Sequence, residues 1–252
     1  MTPRDGLSIR RHAPAALTPT LRDEIAGFVT RFIDYPRDRL ERALDAAAYV
    51  WLCRDRDGRL VGTTAIRLFD MTLERRAVTV IYTAAVAVDP AWRRVGLIGR
   101  MGARSFLRER LRRPLREVLW LSLAASPAGY LQVVRSHARC WPRVGEAVPP
   151  AVGALLLELA ARLGASRVER VDGCIRLPDD FGVSDPAQAP ARWDRADPDV
   201  DFFLRVNPDY QRGSDLMCLA PVNALAVART LLRAALRGAR ARAPLNPQET
   251  PG

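Results

Sequence analysis

Apolar positions recur along this chain with two periods, and the switches between them mark its elements. Leu7 and Ile9 alternate with Ser8 and Arg10, which predicts a short first strand. Over residues 18–33, Leu21, Ile25, Phe28, Val29 and Phe32 recur at three- and four-residue steps behind Thr18 or Thr20, a helix with its N-cap. Residues 36–47 set Leu40, Ala43, Leu44 and Ala47 against Arg37, Arg39, Glu41 and Asp45, a second amphipathic helix suited to lie over a sheet edge. Two strand patterns, 48–54 and 59–68, flank Asp55, Arg56, Asp57 and Gly58, a hairpin turn because Asp-Gly readily takes positive φ. Residues 75–88 form a longer, β-branched strand pattern.

Further along, a helix is expected from about Arg93 to Leu111, a short buried strand over 118–123, and a helix over 126–139 entered through Ser126 and Pro127. An apolar helix over 151–163 ends at Gly164, a C-cap. Residues 167–177 and 216–222 are the last strands, separated by an Asp- and Pro-rich stretch, 178–201, too long for an ordinary connection and therefore a functional or mobile loop. Asn207, Pro208, Asp209 and Tyr210, with Gly213, read as a turn. Residues 223–243 read as a basic helix, with Arg229, Arg233, Arg237 and Arg240 at helical spacing, and 244–252 as a disordered tail. Strands and helices in this order predict an α/β (α+β) protein.

At 86–100 a strongly apolar strand meets Asp89 and Pro90 and then a basic helix start. Such a strand-turn-helix aims unsatisfied N–H groups at an anion, and Arg93, Arg94 and Arg100 place fixed positive charge nearby. Val86, Val88, Pro90, Arg93, Arg94 and Gly96 resemble the core motif of the GCN5-related N-acetyltransferase (GNAT) superfamily. That resemblance implies a mixed twisted sheet with helices on both faces, and acetyl-CoA or another acyl-CoA as co-substrate. Its pyrophosphate loop falls on Arg93, Arg94, Val95, Gly96, Leu97 and Ile98; Ile98 stands where the family has Gly or Ala, and Gly99 follows at once. The resemblance covers residues 7–142, with a looser continuation to about 222. It divides the chain into a core at 1–145 with the cofactor site, a sheet-completing extension at 146–222, the basic helix and the tail. It also implies that strand 118–123 splays from the long strand, leaving the backbone of Val86 and Val88 to bind the pantetheine arm.

For an acyl transfer to an amine, the chain offers few well-placed polar groups. The resemblance assigns Tyr130 as donor to the leaving thiolate. Where many GNAT enzymes carry Glu on the long strand, this chain has Thr83 and Ala84, so Tyr82 and Thr83 are the nearest groups to orient an amine or a water. His137, on the face of Tyr130, is a base candidate because imidazole titrates near neutrality. Cys140 has no base to make it a nucleophile, and Asp194, Asp197, Asp199 and Asp201 read as a solvated loop.

Charge and composition alter this picture little. The chain has 252 residues and a formal charge of +11, yet every one of its 39 basic residues is Arg, a bias that a GC-rich, bacterial genome explains. No nucleic-acid motif accompanies the charge, so nucleic acid is not the expected partner. Four dispersed cysteines and two histidines make neither a disulfide framework nor a metal site, and no apolar run is long enough for a membrane span, so the cytoplasm is the expected location. Three readings follow. The first is an acyl-CoA-dependent N-acyltransferase acting on a small-molecule amine by direct attack through a tetrahedral intermediate. The second is an N-acyl amino acid or autoinducer-type synthase fed by an acyl carrier protein docked on the basic surface. The third is a GNAT-like domain that binds a ligand without catalysis. A homodimer is compatible with each.

Overall fold

The computed structural model describes residues 6–33, 35–178, 193–223 and 227, without the side chains of Arg94 and Val95. The expected helix at 223–243 (Asn223 and Val227 apart), the tail at 244–252 and part of the 178–201 stretch, residues 179–192, lie outside the described residues.

Eight strands make one mixed sheet in the order β1-β2-β3-β4-β5-β8-β7-β6. They are β1 (Ser8–His12), β2 (Tyr49–Arg54), β3 (Leu60–Leu73), β4 (Arg76–Val88), β5 (Glu117–Ala124), β6 (Glu169–Val171), β7 (Cys174–Leu177) and β8 (Asp215–Val222). The one parallel pair among them is β4 with β5; the other neighbours run antiparallel. Helices α1 (Pro19–Val29), α2 (Arg37–Asp45) and α5 (Pro150–Leu163) cover one face. Helices α3 (Leu97–Arg112), α4 (Pro127–Ser136) and α6 (Pro198–Val206) cover the other. This is the mixed sheet with helices on both faces that the resemblance implied.

The helical periods act as read. Ile25, Leu40, Leu44, Leu155 and Leu156 bury completely or nearly so in the core beneath α1, α2 and α5, each contributing roughly 1.5–3 kcal/mol by removal from water. Across the sheet, Leu97, Met101 and Phe106 of α3 pack on β2, β3 and β4, and Tyr130, Val134 and Phe203 join α4 to α6 over β8. Thr18 and Ser126 cap α1 and α4 by accepting from the Leu21 and Gly129 amides, and Gly164 ends α5 at φ 80°.

Three elements depart from the sequence reading for local reasons. The β3–β4 hairpin turns at Glu74 and Arg75, both at positive φ, which neither residue type announces, so β3 runs past its expected end. The strand expected over 167–177 is instead a hairpin, β6 and β7, because Asp172 and Gly173 take φ of 50° and 76°. Within the supposed loop, Asp197 and Pro198 open α6: the Asp197 carboxylate accepts from the Asp199 and Val200 amides. Among the described residues no helix is long and apolar enough to cross a membrane.

Candidate active site

The sheet opens where its parallel pair comes apart. β4 pairs with β5 from Val78↔Glu117 to Tyr82↔Leu121 and no further, although β4 runs on to Val88 and β5 to Ala124. Neither strand is fraying: β4 stays paired with β3 to Val88, and β5 with β8 to Ala124. The register between β3 and β4 shifts opposite Thr64, and Ala85 sits at φ 49°. This β-bulge bends β4 away from β5. An alanine in the left-handed region costs roughly 1–2 kcal/mol, a strain that the surrounding ladder and burial sustain.

A cleft of about 370 Å³ fills the gap. Thr83, Ala84, Ala85 and Val86 form one wall, Ser122 and Leu123 the other, and the edge of β4 there has no strand partner among the described residues. Backbone polar groups on such an edge call for a ligand or water. At the back end lie Ile98 and Gly99 of α3. Gly96, left-handed at φ 74°, precedes the helix, and the first helical bond is Arg100 N–H to the Gly96 carbonyl. Among the described residues the amides of Leu97, Ile98 and Gly99 have no helical acceptor, and the first turn of α3 borders the cleft through Ile98 and Gly99. The Ile98 side chain packs partly into the core beside α3, so Gly99 is the residue where a ligand can approach the backbone closely.

Not all predicted residues converge here. Val86 lines the cleft, whereas Val88 pairs with Gly62 of β3 and Leu97 is buried. Arg93 folds back to donate to the Val88 carbonyl at 3.4 Å and lies over Phe32, and it is absent from the cleft lining. Arg100 is not among the described residues that line the cleft. The side chains of Arg94 and Val95 lie outside the described residues. Of the expected pyrophosphate loop, Ile98 and Gly99 thus line the cleft, and Arg93 and Arg100 are not among its described lining residues.

Tyr130 lies apart from the cleft lining. It is fully buried against Phe202 and Phe203, its hydroxyl donates to the Pro142 carbonyl at 3.4 Å, and burial pushes its pKa well up. The helix turns it into the core, away from the cleft. Ser126, on the first turn of the same helix, does line the cleft; its Oγ accepts from the Gly129 amide and retains its own proton to donate. It and Ser122 escaped the sequence reading, Ser126 because its capping role accounted for it.

Tyr82, Thr83 and His137 line the cleft. His137 follows the last turn of α4, with Nδ1 buried and unpartnered. Burial lowers its pKa from the ordinary 6.5; His12 is lowered too, first by burial and then by Arg54 and Arg10. In both cases the unfolded chain takes up its proton at a higher pH than the fold does. Their stabilising effect is therefore complete above the unfolded value of 6.5 and is lost as pH falls toward the lowered folded values. His137→Gln should lessen the drop in melting temperature between about pH 7 and about pH 5, leaving the share due to His12. An unchanged slope would show that His137 titrates as an exposed imidazole.

A second cavity, also about 370 Å³, lies on the face covered by α2 and α5. It shares Tyr35, Tyr82, Ala84 and Leu123 with the cleft. The two therefore meet at the end of the β4–β5 pairing. The four cysteines are free and buried, Cys53 with its thiol pushed up to about 12, and no described group of His, Cys, Asp and Glu could hold a metal ion.

Neither a protein-family model nor a curated protein matches the chain. Among solved structures it is similar to a GNAT family N-acetyltransferase of Escherichia coli in complex with CoA, at 18% identity and a TM-score of 0.38 over 54% of this chain and 76% of that one. It is likewise similar to an acetyltransferase of Trypanosoma brucei, at 18% identity and a TM-score of 0.36 over 57% and 96%. A conserved protein of unknown function from Enterococcus faecalis matches at 14% identity and a TM-score of 0.38 over 50% of this chain, which spans 31% of that one. Likenesses at this level assign no activity to the chain.

Proposed function

We propose that the protein is a GNAT-type N-acyltransferase that moves an acyl group from acyl-CoA to an amine. The observation that carries this reading is the cleft through the sheet between β4 and β5, with helix amides at one end and a second cavity at the other. The edge of β4 suits the amide groups of a pantetheine arm, and the α3 amides suit the pyrophosphate. Acyl-CoA supplies an acyl group activated as a thioester. The amine enters through the second cavity and meets that group beside Tyr82. Its nitrogen lone pair forms the bond to the acyl carbon, the C–S bond breaks, and sulfur keeps the electron pair. The proton lost by nitrogen passes to His137, directly or through water, and the imidazolium returns it to the thiolate through the Ser126 hydroxyl, which gives one proton as it takes another, so that an amide and free thiol result. Tyr82 and Thr83 orient the amine.

The test is a thermal-shift series with CoA, acetyl-CoA and longer acyl-CoAs. A ligand at 100 times its Kd stabilises the fold by about 2.7 kcal/mol. For a chain of this size that is roughly 5–10 °C in melting temperature. No shift with any CoA species at high concentration would overturn the reading.

A further inference from the structure

The helical period that puts Leu97, Met101 and Phe106 of α3 on the sheet turns Arg104, Leu107, Leu111 and Arg112 outward. Leu107 is 47% exposed, Leu111 81%, and Leu115, in the turn to β5, 97%. Arg110 closes that turn by donating to the carbonyls of Pro114 and, at 3.0 Å, Arg116, which holds Leu115 beside the last turn of the helix. A single exposed leucine means little, but here three share one end of the molecule, two of them as helical neighbours. The charge beside them is of one sign. Arg104, Arg110 and Arg112 are exposed and form no ion pair with a described residue, while Glu109, the one acid of α3, is 2% exposed and 3.5 Å from Arg108. Of the other acids at this end, Asp70 is held by Arg113 and by Arg116, and Glu74 and Glu117 lie on the β3–β4 turn and at the start of β5. Arg110 and Arg112 suit the negative end of the helix dipole, which accounts for two of the cations and for none of the leucines.

We infer that this face of α3 docks on an anionic lipid surface, with Leu107, Leu111 and Leu115 entering the headgroup boundary and Arg104, Arg110 and Arg112 held among the phosphates. Leucines flanked by arginines are the composition of an interfacial helix, and arginine stems lie along apolar surface while their guanidiniums stay with the headgroups. A protein partner fits less well. Anchors at protein interfaces are enriched in aromatic residues and sit in pockets, whereas Leu115 projects from a turn and the one aromatic residue of α3, Phe106, is buried. The cleft is bordered by the first turn of α3, and Gly99 lies about 18 Å along the helix axis from Leu111, so docking leaves the cleft open. The inference does not depend on acyl-CoA binding.

The experiment is co-sedimentation of the full chain with vesicles of phosphatidylglycerol and phosphatidylcholine, and of phosphatidylcholine alone, over a range of salt. The parent should bind the anionic vesicles, leave the neutral ones unbound, and bind less as salt rises. Leu111→Ser with Leu115→Ser keeps the charge and should lower the partition coefficient roughly 10-fold or more. Arg104→Gln with Arg112→Gln should lower it roughly 25-fold, about fivefold for each charge. Arg56→Gln with Arg59→Gln removes the same charge from the β2–β3 turn, at the opposite end of the sheet, and should change it less than about twofold. Every replaced side chain is exposed, so all variants should melt with the parent. Absence of binding to anionic vesicles would overturn the inference and leave the face to an acidic protein. Unchanged binding by the leucine pair, or an equal loss in the Arg56 and Arg59 pair, would also overturn it, because net charge or the basic stretch at 223–243 would then carry the protein to the lipid.

Discussion

Gly99→Asp should abolish stabilisation by acyl-CoA while leaving the free protein as stable as its parent, or up to about 1 kcal/mol more stable. Gly99 is the third residue of α3, has helical backbone, and lines the cleft. A side chain removes the conformational entropy that glycine loses in a helix, and a carboxylate in the first turn interacts favourably with the dipole. The same carboxylate would stand in the first turn of α3 where it borders the cleft, so it competes for the first-turn amides and repels a pyrophosphate. Stability and binding thus move in opposite directions, which separates a lost site from a damaged fold. Arg93→Ala is the companion variant: Arg93 is held by the Val88 carbonyl and Phe32 outside the cleft, and its loss should preserve the shift with acyl-CoA. Melting curves with and without acetyl-CoA check both. A Gly99→Asp protein that still responds fully would place the phosphate site elsewhere.

Tyr130→Ala should destabilise the protein by roughly 3–5 kcal/mol, whereas Tyr130→Phe should cost no more than about 1.5 kcal/mol and leave acyl transfer intact. The ring is fully buried and its centroid lies 5.7 Å from that of Phe202 and 5.8 Å from that of Phe203. Truncation leaves a large cavity where α4, α6 and β8 meet. The hydroxyl makes one long bond to the Pro142 carbonyl, so its removal matters little to packing. Chemical denaturation of the two variants, with turnover of the Phe protein, decides the role of this residue. A Phe variant with parental stability and activity lost by orders of magnitude would return Tyr130 to the reaction.

The contrast between Tyr130 and Ser126 shows how much of the site was legible beforehand. Both lie on one short helix whose start was readable from Ser126 and Pro127, and the tyrosine carried the more evident chemistry. The side that α4 turns to the sheet depends on α6, whose own start at Asp197 and Pro198 had the composition of a loop. Ser126 had a sufficient local explanation as a cap, and nothing in the sequence shows that a capping hydroxyl also borders a cleft. Likewise Arg93 belongs to a recognisable loop, yet its direction is decided by a carbonyl of β4 and a ring on the segment after α1.

Alternation, helical spacing, caps and turn residues act over a few positions, and this is why the chain by itself determined most of its helices and strands, and the strand-turn-helix at 86–100. The Arg-Arg-x-Gly stretch likewise located the helix start that faces the cleft. Only the tertiary structure decided that β4 and β5 separate after Tyr82, because that separation depends on a bulge against β3 and on β8 holding the far side of β5. It also decided that arginines from α2, β3 and the turn after α5 share one cavity. Such convergence comes from residues far apart in the chain, so no local pattern encodes it.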